Sequence, residues 1–137
     1  MKTGGGKRCT TLAEAEGMTA ELGEAILSMA AAELEAGRLE RASVLLEGLA
    51  VVNPLEPEAW ALLSQVHRRA DRRKAARASA EVAARLAPGQ AAIRLVRAEA
   101  LLGDPTEAAQ ARADLGVVAA GQGPASDRAR ALLRGCG

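Results

Sequence analysis

The chain has 137 residues, of which 33 are Ala and 18 are Leu, with Trp60 as its single aromatic. That composition favours helix and leaves few of the β-branched and aromatic residues that strands need, which excludes a sandwich, a barrel or a large parallel sheet. At 26% charged and 49% hydrophobic it is too apolar for a disordered chain, and no apolar run approaches the length of a membrane span. The net charge of +1 conceals a gradient: residues 1–60 carry five Lys/Arg against ten Asp/Glu, and residues 61–100 carry nine against three.

Residues 1–18 open with Gly4-Gly5-Gly6 and read as a flexible segment. The basic start lacks the apolar stretch of a signal peptide, so a cytoplasmic protein is expected. Gly6-Lys7 is not a phosphate-binding loop, because Met1 and Arg8 stand where that motif needs Gly and Ser or Thr. Cys9 and Cys136 lie near opposite termini and are expected to be free thiols.

Thr19 is the expected N-cap of a helix running to about Ala36, with Leu22, Ile26, Met29 and Ala30 inward, and Gly37 stops it. A second helix is expected from Leu39 to Val52, closed by Asn53-Pro54, and a third from Pro57 to about Ala70. The fourth covers about Arg72–Leu86, the fifth about Gln90–Leu102, and the sixth opens at Pro105 and ends near Ala120. Gly121-Gln122-Gly123-Pro124 reads as a linker before a short last helix at about Ser126–Arg134.

The stops recur. Pro54 and Pro88, Ala42 and Ala76, and the turns at Gly37 and Asp71 are each 34 residues apart. Helix pairs at that period carry the tetratricopeptide pattern, and the second repeat shows it as Trp60, Leu63, Ser64, His67, Ala76, Ala80 and Pro88. In the third repeat Ala98 takes the small position, Ala108 follows 32 residues after Ala76 on a shorter turn, and Arg94 holds the leading position. The expected fold is all-α: three helix hairpins stacked as a short right-handed superhelix, with a C-terminal capping helix. Its expected bounds are 19–134, with repeats at about 20–54, 55–88 and 89–121 and the cap at about 125–134. An ordinary helical bundle is the alternative. Trp60 is expected to be a central anchor, because an alanine-rich core buries little area per residue.

Nothing in the pattern calls for catalysis, a metal or a cofactor. His67 occupies a repeat position normally buried, no Cys/His cluster has ligand spacing, and no serine sits in a nucleophile elbow. The basic run from Arg68 to Arg77 is read as a solvated face with local Glu partners, with an acidic-partner patch as the second reading. Without aromatics to stack on bases it does not suggest nucleic acid.

Stacked hairpins curve, and the first helix of each repeat lines the concave side. The expected partner-binding positions there are Leu27, Ala31 and Leu34, beside Glu24, in repeat one. Repeat two supplies Ala61, Gln65, Arg68 and Arg69, and repeat three supplies Leu95, Glu99 and Leu102. This mixed apolar and charged lining suits an extended peptide or a helix laid in a groove. Leu34→Glu with Leu95→Glu is then the expected way to abolish binding without loss of helix.

Three such repeats, an N-terminal extension and a short last helix resemble the bacterial type III secretion chaperones of translocator proteins, or the related chaperones of the needle subunit. The stretches Ala98-Glu99-Ala100-Leu101-Leu102-Gly103-Asp104-Pro105-Thr106-Glu107-Ala108 and Leu49-Ala50-Val51-Val52-Asn53 carry the likeness, which covers about residues 20–133. The resemblance implies a protein that holds an aggregation-prone secretion client in the cytoplasm, the client's extended segment lying in the concave groove. It implies a protein partner, no membrane insertion, and allows a homodimer. A scaffold subunit that joins proteins in a larger complex is the alternative.

Overall fold

The computed structural model describes residues 19–136, and the readings made for residues 1–18, Cys9 included, and for the Cys136 thiol lie outside what it describes. Among the described residues there are seven helices and no strand: α1 (Ala20–Glu35), α2 (Leu39–Val52), α3 (Pro57–Arg69), α4 (Arg73–Leu86), α5 (Ala91–Leu102), α6 (Ala108–Ala119) and α7 (Pro124–Cys136). The local signals explain most of the boundaries. Thr19 Oγ1 accepts from the Leu22 amide at 3.1 Å, and Pro57 opens α3 behind Glu56, whose carboxylate accepts from the Glu58 amide at 3.2 Å.

The turn after α1 is repeated 34 residues on. Arg38 N donates to Glu33 O at 2.8 Å, and Arg72 N donates to His67 O at 2.8 Å. Both are Schellman closures, which require a left-handed residue just past the helix. Gly37 supplies it at φ 79°, whereas Asp71 adopts it at φ 62° with a side chain attached.

Each hairpin packs on the next. α1, α3, α5 and α7 touch in succession, while α2, α4 and α6 do not touch one another. An inner row in contact beside an outer row held apart is a curved stack, with the odd-numbered helices on the concave side. The core is divided accordingly. A first cluster joins α1, α2 and α3 around Leu34, Leu46, Leu63 and Val66. A second joins α3, α4 and α5 around Ala80, Ala83, Ile93 and Val96, and a third joins α5, α6 and α7 around Ala98, Leu115 and Ala129. This is the stacked-hairpin architecture expected from the period, with α7 placed as the first helix of an incomplete fourth pair.

Five expectations change. The buried stripe of α1 is Leu27, Ala30 and Leu34, while Leu22 and Met29 are 48% and 53% exposed. No described element packs on that side of α1, so the apolar residues there have nothing to bury against. Trp60 is half-buried at the seam between the first and second clusters rather than central to either. Its Nε1 donates to the Pro54 carbonyl at 2.8 Å, and Arg94 makes the same reach to the Pro88 carbonyl at 3.3 Å. His67 is also only half-buried, and its Nδ1 accepts from Arg72 Nε at 3.1 Å.

The fourth change is the third repeat. Its buried outer stripe is Ala111, Leu115 and Val118, which matches the spacing of Ala76, Ala80 and Ala83 after a shift of 35 residues, not 32. The turn before α6 is therefore longer than in the other repeats. Asp104 closes it: its Oδ1 accepts from the Thr106 amide at 3.0 Å and hydroxyl at 2.8 Å. The hydroxyl, then the amide, hold the Asp104 carboxyl below the usual carboxylate range, with Arg77 and Arg73 adding to the effect. Pro105 is thus a turn residue, and α6 starts only at Ala108. At the other end Pro124 joins α7 as its first residue instead of ending a linker.

Candidate functional site: a concave cleft between α3 and α5

The inner row opens into a cleft of about 530 Å³ between α3, α5 and the start of α7. Ala61, Ile93 and Val96 form its apolar floor, and all three are buried by the second cluster. Leu62 from α3 and Leu95 from α5 supply the walls, and Pro124 and Ala125 close one end. Small residues at lining positions, Ala61, Ala92 and Ala125, leave the space between the helices unfilled. The volume lies in the range of sites that seat small ligands or several side chains of a peptide.

Every charge on the lining is negative: Glu56, Glu58 and Glu99, with Gln65 and Gln90 as neutral polar groups. Glu99 is held from behind, its side chain only 9% exposed, with Arg128 Nε at 3.0 Å and Arg68 at 3.6 Å. That triad ties α7 and α3 to α5 at the inner end of the cleft. Glu56 and Glu58 stand at the mouth, with no ion-pair partner among the described residues. A second recess of about 340 Å³ lies beyond Glu99, lined by Arg68, Leu102 and Arg128.

Of the positions expected on the groove, Ala61, Gln65, Leu95 and Glu99 come together in the cleft, and Arg68, Glu99 and Leu102 meet in the recess beyond it. The residues of α1 do not join them. Leu27 and Leu34 are 7% and 3% exposed, packed into the first cluster, and the half-buried Ala31 lies on neither cavity. Glu at Leu34 would put a carboxylate into the core and unfold the chain rather than probe the groove. Arg69 turns away and caps α1, its Nη1 donating to the Leu34 carbonyl at 2.8 Å. Reasoning on repeat positions missed the Glu56–Glu58 mouth, although Glu56-Pro57-Glu58 reads as a helix start. It also missed Pro124 and Ala125, which reach the cleft only because α7 packs as another inner helix.

The basic run stays exposed, as expected of a solvated face, but several of its arginines are engaged by the fold. Arg73 Nη1 donates to the Gly103 carbonyl at 2.8 Å, capping α5, and Arg77 pairs with Glu107. Together with Arg68, Arg69 and Arg72, these contacts join helix ends and neighbouring repeats. Among the described residues no group of His, Cys, Asp and Glu could hold a metal ion, and no helix is long and apolar enough to cross a membrane.

The fold and the cleft define a short tetratricopeptide-type solenoid with an open concave face. Solved structures share this fold. The Yersinia enterocolitica type III secretion translocator chaperone SycD superposes with a TM-score of 0.80 over 93% of this chain and 99% of its own, at 19% identity. A structure of SycD in complex with a peptide of the translocator YopD matches with a TM-score of 0.70, at 19% identity, over 86% of this chain and 94% of that one. A type III secretion complex from Aeromonas hydrophila gives 0.78, also at 19% identity, over 91% of this chain and 87% of that one. No family model and no curated protein sequence matches the chain.

Proposed function

We propose that this chain is a type III secretion chaperone that holds an apolar segment of a client protein in the cleft between α3 and α5. The observation that carries the reading is the coincidence of two things. The chain takes up the fold of SycD over nearly the whole of both proteins, and its inner row leaves open an apolar-floored cleft. A closely similar structure holds a peptide of a translocator. Ala61, Gln65, Leu95 and Glu99 are the positions assigned to the client. The same reading makes the protein a non-catalytic cytoplasmic binder.

The test is capture of the client from the native cell extract, with the wild type beside two variants. Gln65→Trp fills the cleft from a half-buried position, and Leu95→Glu charges its wall. A single secreted or membrane-inserting protein, bound by the wild type and lost by both variants at unchanged circular dichroism, is the expected result. Several components of one apparatus retained by both variants would make the chain a scaffold subunit instead.

A further inference from the structure

Resting on the peptide-cleft reading, we propose that the cleft selects client segments that carry Lys or Arg beside their apolar residues, through Glu56 and Glu58 at its mouth. The sequence points the other way, because residues 61–100 are strongly basic. The fold removes those cations from the cleft. Arg69 and Arg73 cap helix ends, Arg77 pairs with Glu107, and Arg68 lies beyond Glu99 in the second recess. What remains on the lining is acidic alone.

The three carboxylates are not equivalent. Glu99 is neutralised by Arg68 and Arg128, so a client meets it as a satisfied group. Glu58 is exposed on the first turn of α3, and Glu56, half-buried, is the residue that caps it. Glu56 uses one oxygen on the Glu58 amide, which leaves its other oxygen and the Glu58 carboxylate without an ion-pair partner among the described residues. A cation brought there by an apolar segment seated on Ala61, Ile93 and Val96 is partly withdrawn from water, where its attraction is less screened than on an open surface. A carboxylate brought to the same place is repelled.

The experiment measures fluorescence anisotropy of labelled decapeptides with the full chain. The peptides share one core of Pro, Leu, Val and Ala and carry two Lys, two Gln or two Glu at either end. The Lys peptide is expected to bind about tenfold more tightly than the Glu peptide at low ionic strength, with Gln between them, and the spread narrows as salt is raised. Glu58→Gln, which leaves the Glu56 cap in place, is expected to narrow the spread, and the double variant Glu56→Gln/Glu58→Gln is expected to erase it. Equal binding of the three peptides, or a spread that survives in both variants, overturns the charge selection and leaves the cleft reading standing. Binding of none of them overturns both.

Discussion

Asp71 and Gly37 do the same work with different side chains. Both hold the left-handed position of a Schellman turn, where a Cβ is crowded against the following carbonyl. The nearest compensation at Asp71 is a 3.7 Å pair with Arg73 in which both side chains are largely exposed, which contributes little. Asp71→Gly is therefore expected to stabilise the chain by about 0.5–1 kcal/mol, read as a Tm raised by about 2–4 °C. His67 gives the fold a pH dependence. Burial first, then the Arg72 guanidinium, hold its imidazole below the ordinary pKa of 6.5, with Glu47 pulling weakly the other way. The unfolded chain takes up a proton that the folded one resists, so the contribution is full above pH 6.5 and is lost as pH falls through the lower folded value. Urea midpoints measured on either side of that window should fall toward acid in the wild type, and His67→Gln should flatten the change.

At the scale of elements, donors aimed at helix ends join the helices beside the three apolar clusters. Arg130 of α7 donates to the Ala119 carbonyl at 2.6 Å and Ser126 to the Val118 carbonyl at 2.7 Å, so the end of α6 is closed by the helix that follows it. Arg97 of α5 reaches Glu81 on α4 and Asp114 on α6, each at 3.1 Å. Asp114 is 6% exposed and also accepts from Gln110, so its charge is buried with its partners in place. Among the described residues, Trp60 is the one large side chain that packs against two clusters. Trp60→Ala is expected to cost about 2–3 kcal/mol, short of the range for a fully buried aromatic because part of the ring surface stays exposed and gains little from folding. Chemical denaturation measures that loss, and an unchanged midpoint would mean that the seam carries no stability.

Across the whole molecule, the cleft is a consequence of stacking rather than of any one helix. α3 contributes an acidic first turn and a small residue, Ala61, and α5 contributes Ile93, Leu95 and Val96. Neither helix alone has a concavity. The space exists because the inner row curves and because Ala61, Ala92 and Ala125 stand where larger side chains would close it. α7 then bounds the cleft at Pro124 and Ala125, while Arg128 anchors it to Glu99. The capping helix is thereby a wall of the site as well as the end of the stack. The function proposed for the cleft and its preference for cationic segments both depend on this arrangement, and both tests act on residues that line it.

Local chemistry written in the sequence was enough for the helices, their caps and their period. Thr19, Gly37, Pro57 and the 34-residue recurrence of turns act over a few residues and need no partner to be recognised. The face each helix buries was decided by its neighbours. Leu22 and Met29 satisfy the same periodicity as Leu27 and Leu34, and only the packing of α2 and α3 on one side of α1 separates core from surface. The third repeat's register followed from Asp104 closing a turn, a side-chain choice that Pro105 alone does not reveal. The charge of the site was decided the same way. The sequence by itself determined how many arginines lie between Arg68 and Arg77, but tertiary structure decided which way they point. Helix ends and carboxylates brought together from distant repeats compete for each guanidinium, and that competition leaves the cleft lined by acids.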